Sequence, residues 1–292
     1  MANQVQIVTT GGTGLVGSRV IELLKNKYAF FDASLENGID LLDTAQLELF
    51  LTKHPSQYMI HFAAFTDVKA AQQEQGNING LCYQLNVEVS KYIAQKCHQQ
   101  NRHLIYISTD YVFDGEKVGK YKEKDLPNPL NWYGQTKYLG ERAIIDSGCS
   151  FTILRISSPF GIHQHRKPDY VQKILNLLQG NSGVMLFNDQ FLTPTFIEDF
   201  AKVIEILVYS KPNVNNIYHI VSTEIYTPYD IGLLVKEILS LQTTIKPNSV
   251  QSSGNIYPNN CSLDNQKLKH DFNLKLTNLS ETIRESVQSK IQ

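Results

Sequence analysis

Tyr133 and Lys137 stand four residues apart in the run Tyr133-Gly134-Gln135-Thr136-Lys137. On a helix that spacing puts both side chains on one face, one turn apart. A free phenol titrates near ~10, too high for a good proton donor and acceptor at neutral pH. A neighbouring ammonium stabilises the phenolate and pulls that value down. The same ammonium is placed to reach the ribose of a nicotinamide. Upstream, the apolar run Leu104–Ile107 ends in Ser108-Thr109-Asp110. A Thr109 hydroxyl there donates to a carbonyl oxygen that Tyr133 protonates, so the trio Thr109, Tyr133 and Lys137 polarises a ketone for hydride attack. Tyr and Lys at this spacing occur by chance in many helices; the hydroxyl-bearing strand end gives the pair its weight.

Hydride chemistry needs a donor, and the chain opens with a place for one. Val5–Thr10 reads as a strand, and Gly11, Gly12, Thr13, Gly14, Leu15, Val16 and Gly17 follow it directly. Ser18–Lys27 then has apolar residues at helical spacing. Gly12-x-Gly14-x-x-Gly17 is the dinucleotide fingerprint in the strand–turn–helix context that it requires. Glycines let a pyrophosphate approach the backbone amides, and the helix N-terminus adds partial positive charge. Asp32 ends the next apolar run, Tyr28–Phe31, where a carboxylate accepts from the adenosine ribose hydroxyls. It repels a 2′-phosphate and so favours NAD(H), while Ser34 and Arg19 keep NADP(H) open.

These residues need a scaffold that brings strand ends together. Strands at 5–10, 28–31, 58–63, 104–107 and 151–156 alternate with helices at 18–27, 45–53, 81–97 and 131–145. That alternation predicts an α/β fold, a Rossmann-type doubly wound parallel sheet with helices on both faces. The organisation expected is a nucleotide-binding domain over residues 1–160, its sheet completed by segments near 185–221. A smaller, partly discontinuous substrate-binding region takes up 161–292, with helices at 170–178, 196–209, 231–241 and 279–290 and a strand at 217–221.

Composition narrows the function classes. Lys plus Arg number 27 against Asp plus Glu 28, a net charge of −1, without the basic excess of a nucleic-acid groove. No apolar run approaches the ~18 residues of a membrane span, and no secretory signal pattern is present. A cytoplasmic protein is expected. Cys82, Cys97, Cys149 and Cys261 are dispersed, with neither zinc spacing nor a disulfide framework, so no metal is expected. His61 and His219 fall inside strands and read as structural. His163 and His165, with Arg166 and Lys167, read as a solvated loop. Trp132 reads as an anchor for the start of the Tyr133 helix.

The turn Thr10–Gly17 (TGGTGLVG) with the later Tyr133–Lys137 pair resembles the extended short-chain dehydrogenase/reductases. Within them the chain is most similar to the dTDP-4-dehydrorhamnose reductases. That resemblance rests on Ser108–Gly115 (STDYVFDG), Tyr133–Glu141 (YGQTKYLGE), Asp189–Thr195 (DQFLTPT), Tyr218-His219 and Ser262–Asp264, and covers nearly the whole chain. It implies reduction of a nucleotide-linked 4-keto-6-deoxy sugar with NAD(H) or NADP(H), and a homodimer as the assembly. It also implies that Asp40 and Leu41 border the adenine and that Ala63 and Ala64 pack on the cofactor ribose. Thr66 would lie at the substrate approach, Tyr111 and Val112 would line the sugar pocket, and Asn86 would steady the active-site helix.

Three departures fall on the substrate side. Ser158 stands where the family has a tryptophan, Tyr257 where it has an arginine suited to phosphates, and Lys69 lies in an altered Asp67–Gln72 segment. Two other readings remain. One is a nucleotide-sugar epimerase or dehydratase of the same superfamily, although dehydratases carry an acidic pair after the threonine and this chain has Asp110-Tyr111. The other is a non-catalytic cofactor-binding subunit like the regulatory subunit of methionine adenosyltransferase.

Overall fold

A computed structural model describes residues 4–162, 167–180, 182–210, 215–254 and 256–291. Chain order runs β1 (Val5–Thr10), α1 (Leu15–Leu24), β2 (Tyr28–Ala33), α2 (Thr44–Lys53), β3 (Tyr58–His61) and α3 (Val68–Gln73). One long helix then opens as α4 (Leu81–Tyr83), widens to a π-helical stretch over Gln84–Val89 and continues as α5 (Ser90–Gln99). β4 (His103–Thr109), α6 (Trp132–Asp146) and β5 (Ser150–Ile156) follow. The remainder is α7 (Tyr170–Gly180), β6 (Gly183–Phe187), α8 (Ile197–Ser210), β7 (Asn216–His219), α9 (Pro228–Ile238), β8 (Thr244–Asn248), α10 (Gln266–Phe272) and α11 (Leu279–Lys290).

Six strands form one parallel sheet in the order β2-β1-β3-β4-β5-β7. Neighbouring residues along a strand feed opposite layers, which is why the strands read as continuous apolar runs. Ile7, Ile60, Ile105 and Leu154 pack under α1 and α8. Val8, Met59, Leu104 and Ile153 pack on the other side with Leu47 and Leu51 of α2, Ile93 of α5 and Ile144 of α6. Burying both faces of a sheet is what stabilises it most, at roughly 25 cal/mol per Å² of apolar surface.

Of the stretch near 185–221, only β7 joins this sheet. β6 pairs with β8 in a separate two-stranded parallel sheet. Its Leu186 is drawn instead into a third core with Ile174 and Leu178 of α7, Ile231 and Val235 of α9 and Ile283 of α11. Strand order reverses about β1, so the carboxyl ends of β1, β3, β4 and β5 open onto one crevice, where ligands of such sheets bind.

Candidate active site

The glycine turn is pressed against the chain that leaves β3. Phe62 and Ala63 both donate backbone N–H groups to the Thr10 carbonyl, at 3.0 and 3.1 Å. Gly11 has φ +66°, and a Cβ there would come within 2.6 Å of the Ala63 nitrogen. Gly14 is the N-cap of α1, and no side chain caps that helix and no acid occupies its first turn. Thr13, Gly14, Leu15 and Val16 are half-buried. A cradle without side chains, followed by an uncapped helix start, fits a dinucleotide pyrophosphate.

Asp32 clamps that turn. Its Oδ1 accepts from the Gly12 N–H at 2.7 Å and the Thr9 hydroxyl at 2.9 Å, and Asn37 donates to Oδ2 at 3.1 Å. Arg19 pairs with Glu198 at 2.9 Å and Glu22 at 2.8 Å, so its guanidinium is spoken for, and Ser34 is buried. Arg19 is thus engaged by two carboxylates, while the Ser34 hydroxyl is buried without a hydrogen-bond partner among the described residues. Asp40 Oδ1 accepts from the Leu42 N–H at 2.9 Å. Leu41 packs into the core beside Val8 and Ala33.

The second constellation is set by the approach of α6 to β4. Asn131 caps the helix by accepting from the Gly134 N–H at 2.8 Å. A Cβ on Gly134 would fall 2.0 Å from the Tyr111 carbonyl oxygen, so only glycine lets α6 come this close. Tyr133 consequently meets Tyr111 edge to face, with ring centroids 5.9 Å apart, and faces the Thr109 hydroxyl. Thr109 donates to Asp110 Oδ1 at 2.8 Å and accepts from the Tyr111 N–H at 3.2 Å. Lys137 is buried, donates to the Ile107 carbonyl at 2.8 Å and lies 4.0 Å over the Tyr106 ring.

Burial governs the titration of this cluster. It pushes Lys137 down to about 7, against the pull of Glu141 and Cys82, and raises Asp110 to about 6 against hydrogen bonds from Ser157 and Thr109. It also raises Tyr133; the Thr109 hydroxyl opposes that rise, and Asp110 and Cys82 add to it. The expected lowering of Tyr133 by Lys137 is thus absent in the protein alone. Lys137 donates one N–H to the Ile107 carbonyl of β4, and burial disfavours its charged form.

Behind the trio stand groups whose pairing no local pattern announces. Asn86, in the π-helical stretch, accepts from the Phe65 N–H at 2.8 Å and donates to the Phe65 carbonyl at 3.1 Å and to Thr136 Oγ1 at 3.0 Å. It ties the loop after β3 to α6, as the resemblance implied. Glu141 and Arg155, both 1% exposed, form a two-pronged ion pair at 2.9 and 2.7 Å that locks α6 to β5. Both residues lie in motif strings, but their contact is not visible in the sequence. Trp132 stacks on Tyr83 at 6.2 Å, and its backbone N–H donates to Gln72 Oε1 at 3.1 Å.

The substrate side is aromatic. Tyr257 packs edge-on against Tyr111 at 6.4 Å and tilted against Phe187 at 6.2 Å. Ala63 and Ala64 are half-buried beside the glycine turn, and Thr66 is exposed. Ser158 is half-buried with φ +39°, a left-handed conformation that costs a non-glycine residue energy. Val112 is fully buried among Phe113, Tyr121, Val221 and Leu263. It supports the wall from behind and does not line the pocket as expected. His61, pushed down to about 3 by burial, bonds Thr10 and Ser90. His219, likewise about 3, bonds the Asp264 carbonyl. Both are neutral structural residues. His163, His165 and Arg166 lie outside the described residues.

A glycine turn at the first strand of a parallel sheet and a hydroxyl–phenol–ammonium set at the fourth define a Rossmann-type dehydrogenase/reductase fold. The chain belongs to the RmlD substrate binding domain family, whose profile matches residues 5–291. It is 28% identical to dTDP-4-dehydrorhamnose reductase of Aggregatibacter actinomycetemcomitans, over 79% of this chain and 78% of that one. It is 30% identical to the methionine adenosyltransferase 2 subunit beta of Xenopus laevis, over 80% and 72%. The fold superposes on crystalline Bacillus anthracis dTDP-4-dehydrorhamnose reductase in complex with NADP with a TM-score of 0.88. That match has 22% identity and covers 98% of this chain and 100% of the other. No described helix is long and apolar enough to cross a membrane.

Proposed function

We propose that the protein is an NAD(P)H-dependent reductase of a nucleotide-linked 4-keto-6-deoxy sugar, preferring NADH. One observation carries the reading: Thr109, Tyr133 and Lys137 converge at the carboxyl end of β4, in the crevice that also holds the uncapped start of α1. The reductase relative supports the substrate class. Asp32, aimed at the glycine turn with Arg19 engaged elsewhere, supports the cofactor preference.

Thr13–Val16 would hold the pyrophosphate, Asp32 the adenosine ribose, Ala63 and Ala64 the wall beside it, and Asp40 the adenine edge. The bound nicotinamide supplies a hydride to the substrate carbon. Thr109 orients the carbonyl oxygen, and the Tyr133 O–H gives it a proton, so that ketone plus hydride plus proton become a secondary alcohol. Lys137 holds the ribose and, when charged, stabilises the Tyr133 phenolate left behind. Thr66, Tyr111 and Ser158 would face the sugar.

Purified protein is expected to oxidise NADH, and NADPH more slowly, when given a dTDP- or UDP-linked 4-keto-6-deoxyhexose. No loss of nicotinamide absorbance with any such sugar overturns the reading. A second reading, a cofactor-binding regulatory subunit, is favoured by the identity to the Xenopus subunit, which matches that to the reductase. Stoichiometric capture of a partner enzyme by a protein without turnover would establish it.

A further inference from the structure

A threonine hydroxyl has one proton to give and two lone pairs to receive with. Beside the Tyr133 phenol, which faces it, Thr109 has two further contacts. Its oxygen receives the Tyr111 N–H at 3.2 Å, and its proton goes to Asp110 Oδ1 at 2.8 Å. With the proton committed to a carboxylate, nothing remains to donate to a substrate ketone, and a ketone oxygen is the weaker competitor for it.

Asp110 is 3% exposed, and besides Thr109 the only side chain among the described residues that hydrogen-bonds its carboxyl group is the neutral Ser157 hydroxyl. The titratable groups around it come from several elements: Tyr133 of α6, Tyr111 of the short turn Asp110–Val112, Tyr170 of α7, and Cys261. Burial raises all four, so each keeps its proton at neutral pH, and none is a cation. An ionised Asp110 therefore sits desolvated without a counter-charge. A protonated one reverses the 2.8 Å contact: the carboxyl O–H and the Tyr111 N–H fill the two lone pairs of Thr109 Oγ1, and the threonine proton is freed toward Tyr133 and the crevice it faces.

We propose that Asp110 is a positioning residue whose carboxyl group decides whether the Thr109 hydroxyl is held back or offered to the substrate carbonyl. The proposal rests on the reductase reading above. The switch itself consumes nothing: its proton comes from solvent and stays on Asp110 through turnover, while the proton added to the ketone comes from Tyr133. The carboxyl titrates near about 6, so carbonyl activation strengthens as pH falls through that value.

Two measurements test it. At saturating NADH and sugar nucleotide, the wild-type kcat is expected to fall several-fold between pH 5 and 6.5. Asp110→Asn, whose amide N–H donates to Thr109 as the carboxyl would, should hold the acidic level across that window. Asp110→Ala should lower kcat at every pH without changing the KM for cofactor. The titration of Lys137 near 7 lies higher and stays in all three. An Asp110→Asn profile identical to wild type overturns the proposal.

The second measurement needs no substrate. An infrared carboxyl band should titrate near 6 in the wild type, vanish in Asp110→Asn and shift in Thr109→Val. A carboxyl that titrates in the ordinary aspartate range overturns the proposal even in an active enzyme. A protein that shows the infrared titration but reduces no sugar nucleotide keeps the switch and loses the reductase reading.

Discussion

The two walls of the crevice are built on different principles. The cofactor wall is backbone: the turn after β1, the chain after β3 and the start of α1, braced by Asp32, Asn86 and the Glu141–Arg155 pair. The substrate wall is side chains: Tyr111 edge-on to Tyr257, Phe187 tilted against it, a strained Ser158, and the buried Asp110 carboxyl group. A backbone cradle tolerates little change of residue, because a Cβ on Gly11 or Gly17 would come within 2.6 Å of another backbone atom. An aromatic wall can be repacked for another sugar by exchanging single residues. Of the departures from the family in this chain, Ser158 and Tyr257 fall on the second wall, and Lys69 is exposed on α3.

The sharpest way to break the contrast is at the residue both walls share. Tyr133→Phe removes the proton donor alone, and kcat is expected to fall ~10²–10⁴-fold, with NADH affinity by titration unchanged. A smaller fall would mean that the phenol is not the donor. Next comes the brace behind the cofactor wall. Glu141→Ala leaves the buried Arg155 charge unpaired and should cost about 3–5 kcal/mol of stability by urea unfolding. Thr66→Ala on the exposed substrate side should stay within ~0.5 kcal/mol. Equal losses would erase the difference between the walls. The smallest effect is on the substrate wall itself. Tyr257→Arg is expected to lower the KM for a sugar nucleotide severalfold through a charge-assisted bond to its diphosphate, with cofactor KM unchanged; a shift in cofactor KM would place Tyr257 on the wrong wall.

The same division decided what could be read in the sequence. The glycine turn, Asp32 and the Thr109/Tyr133/Lys137 order are local patterns, and the five strands through residue 156 announced themselves as apolar runs. What escaped was long-range or short. β8 reads Thr244-Ile245-Lys246-Pro247-Asn248, an edge strand with no apolar run, and α3 is a single polar stretch capped by Asp67. The π-helical widening at Gln84–Val89 lies inside what reads as one helix. The resemblance puts Val112 at the sugar pocket, whereas its side chain is fully buried in the core behind it. Titration was the least legible property: Lys137 near Tyr133 suggested a depressed phenol, and desolvation produced the opposite.

The pairing of β5 with β7 has a consequence for how the chain is made. Ile153 lies opposite Ile217, and Phe200, Val203 and Leu207 of α8 share a core with Ile7 and Ile105. A ribosome therefore delivers the whole cofactor cradle before it delivers the strand and helix that finish the sheet. For roughly 3–12 s at ~5–20 residues per second, the nascent chain carries an open strand edge and an uncovered apolar face. Both are templates for pairing with a neighbouring chain. Fragments ending near residue 160 should aggregate, and chaperone demand should peak while residues 157–219 are being added.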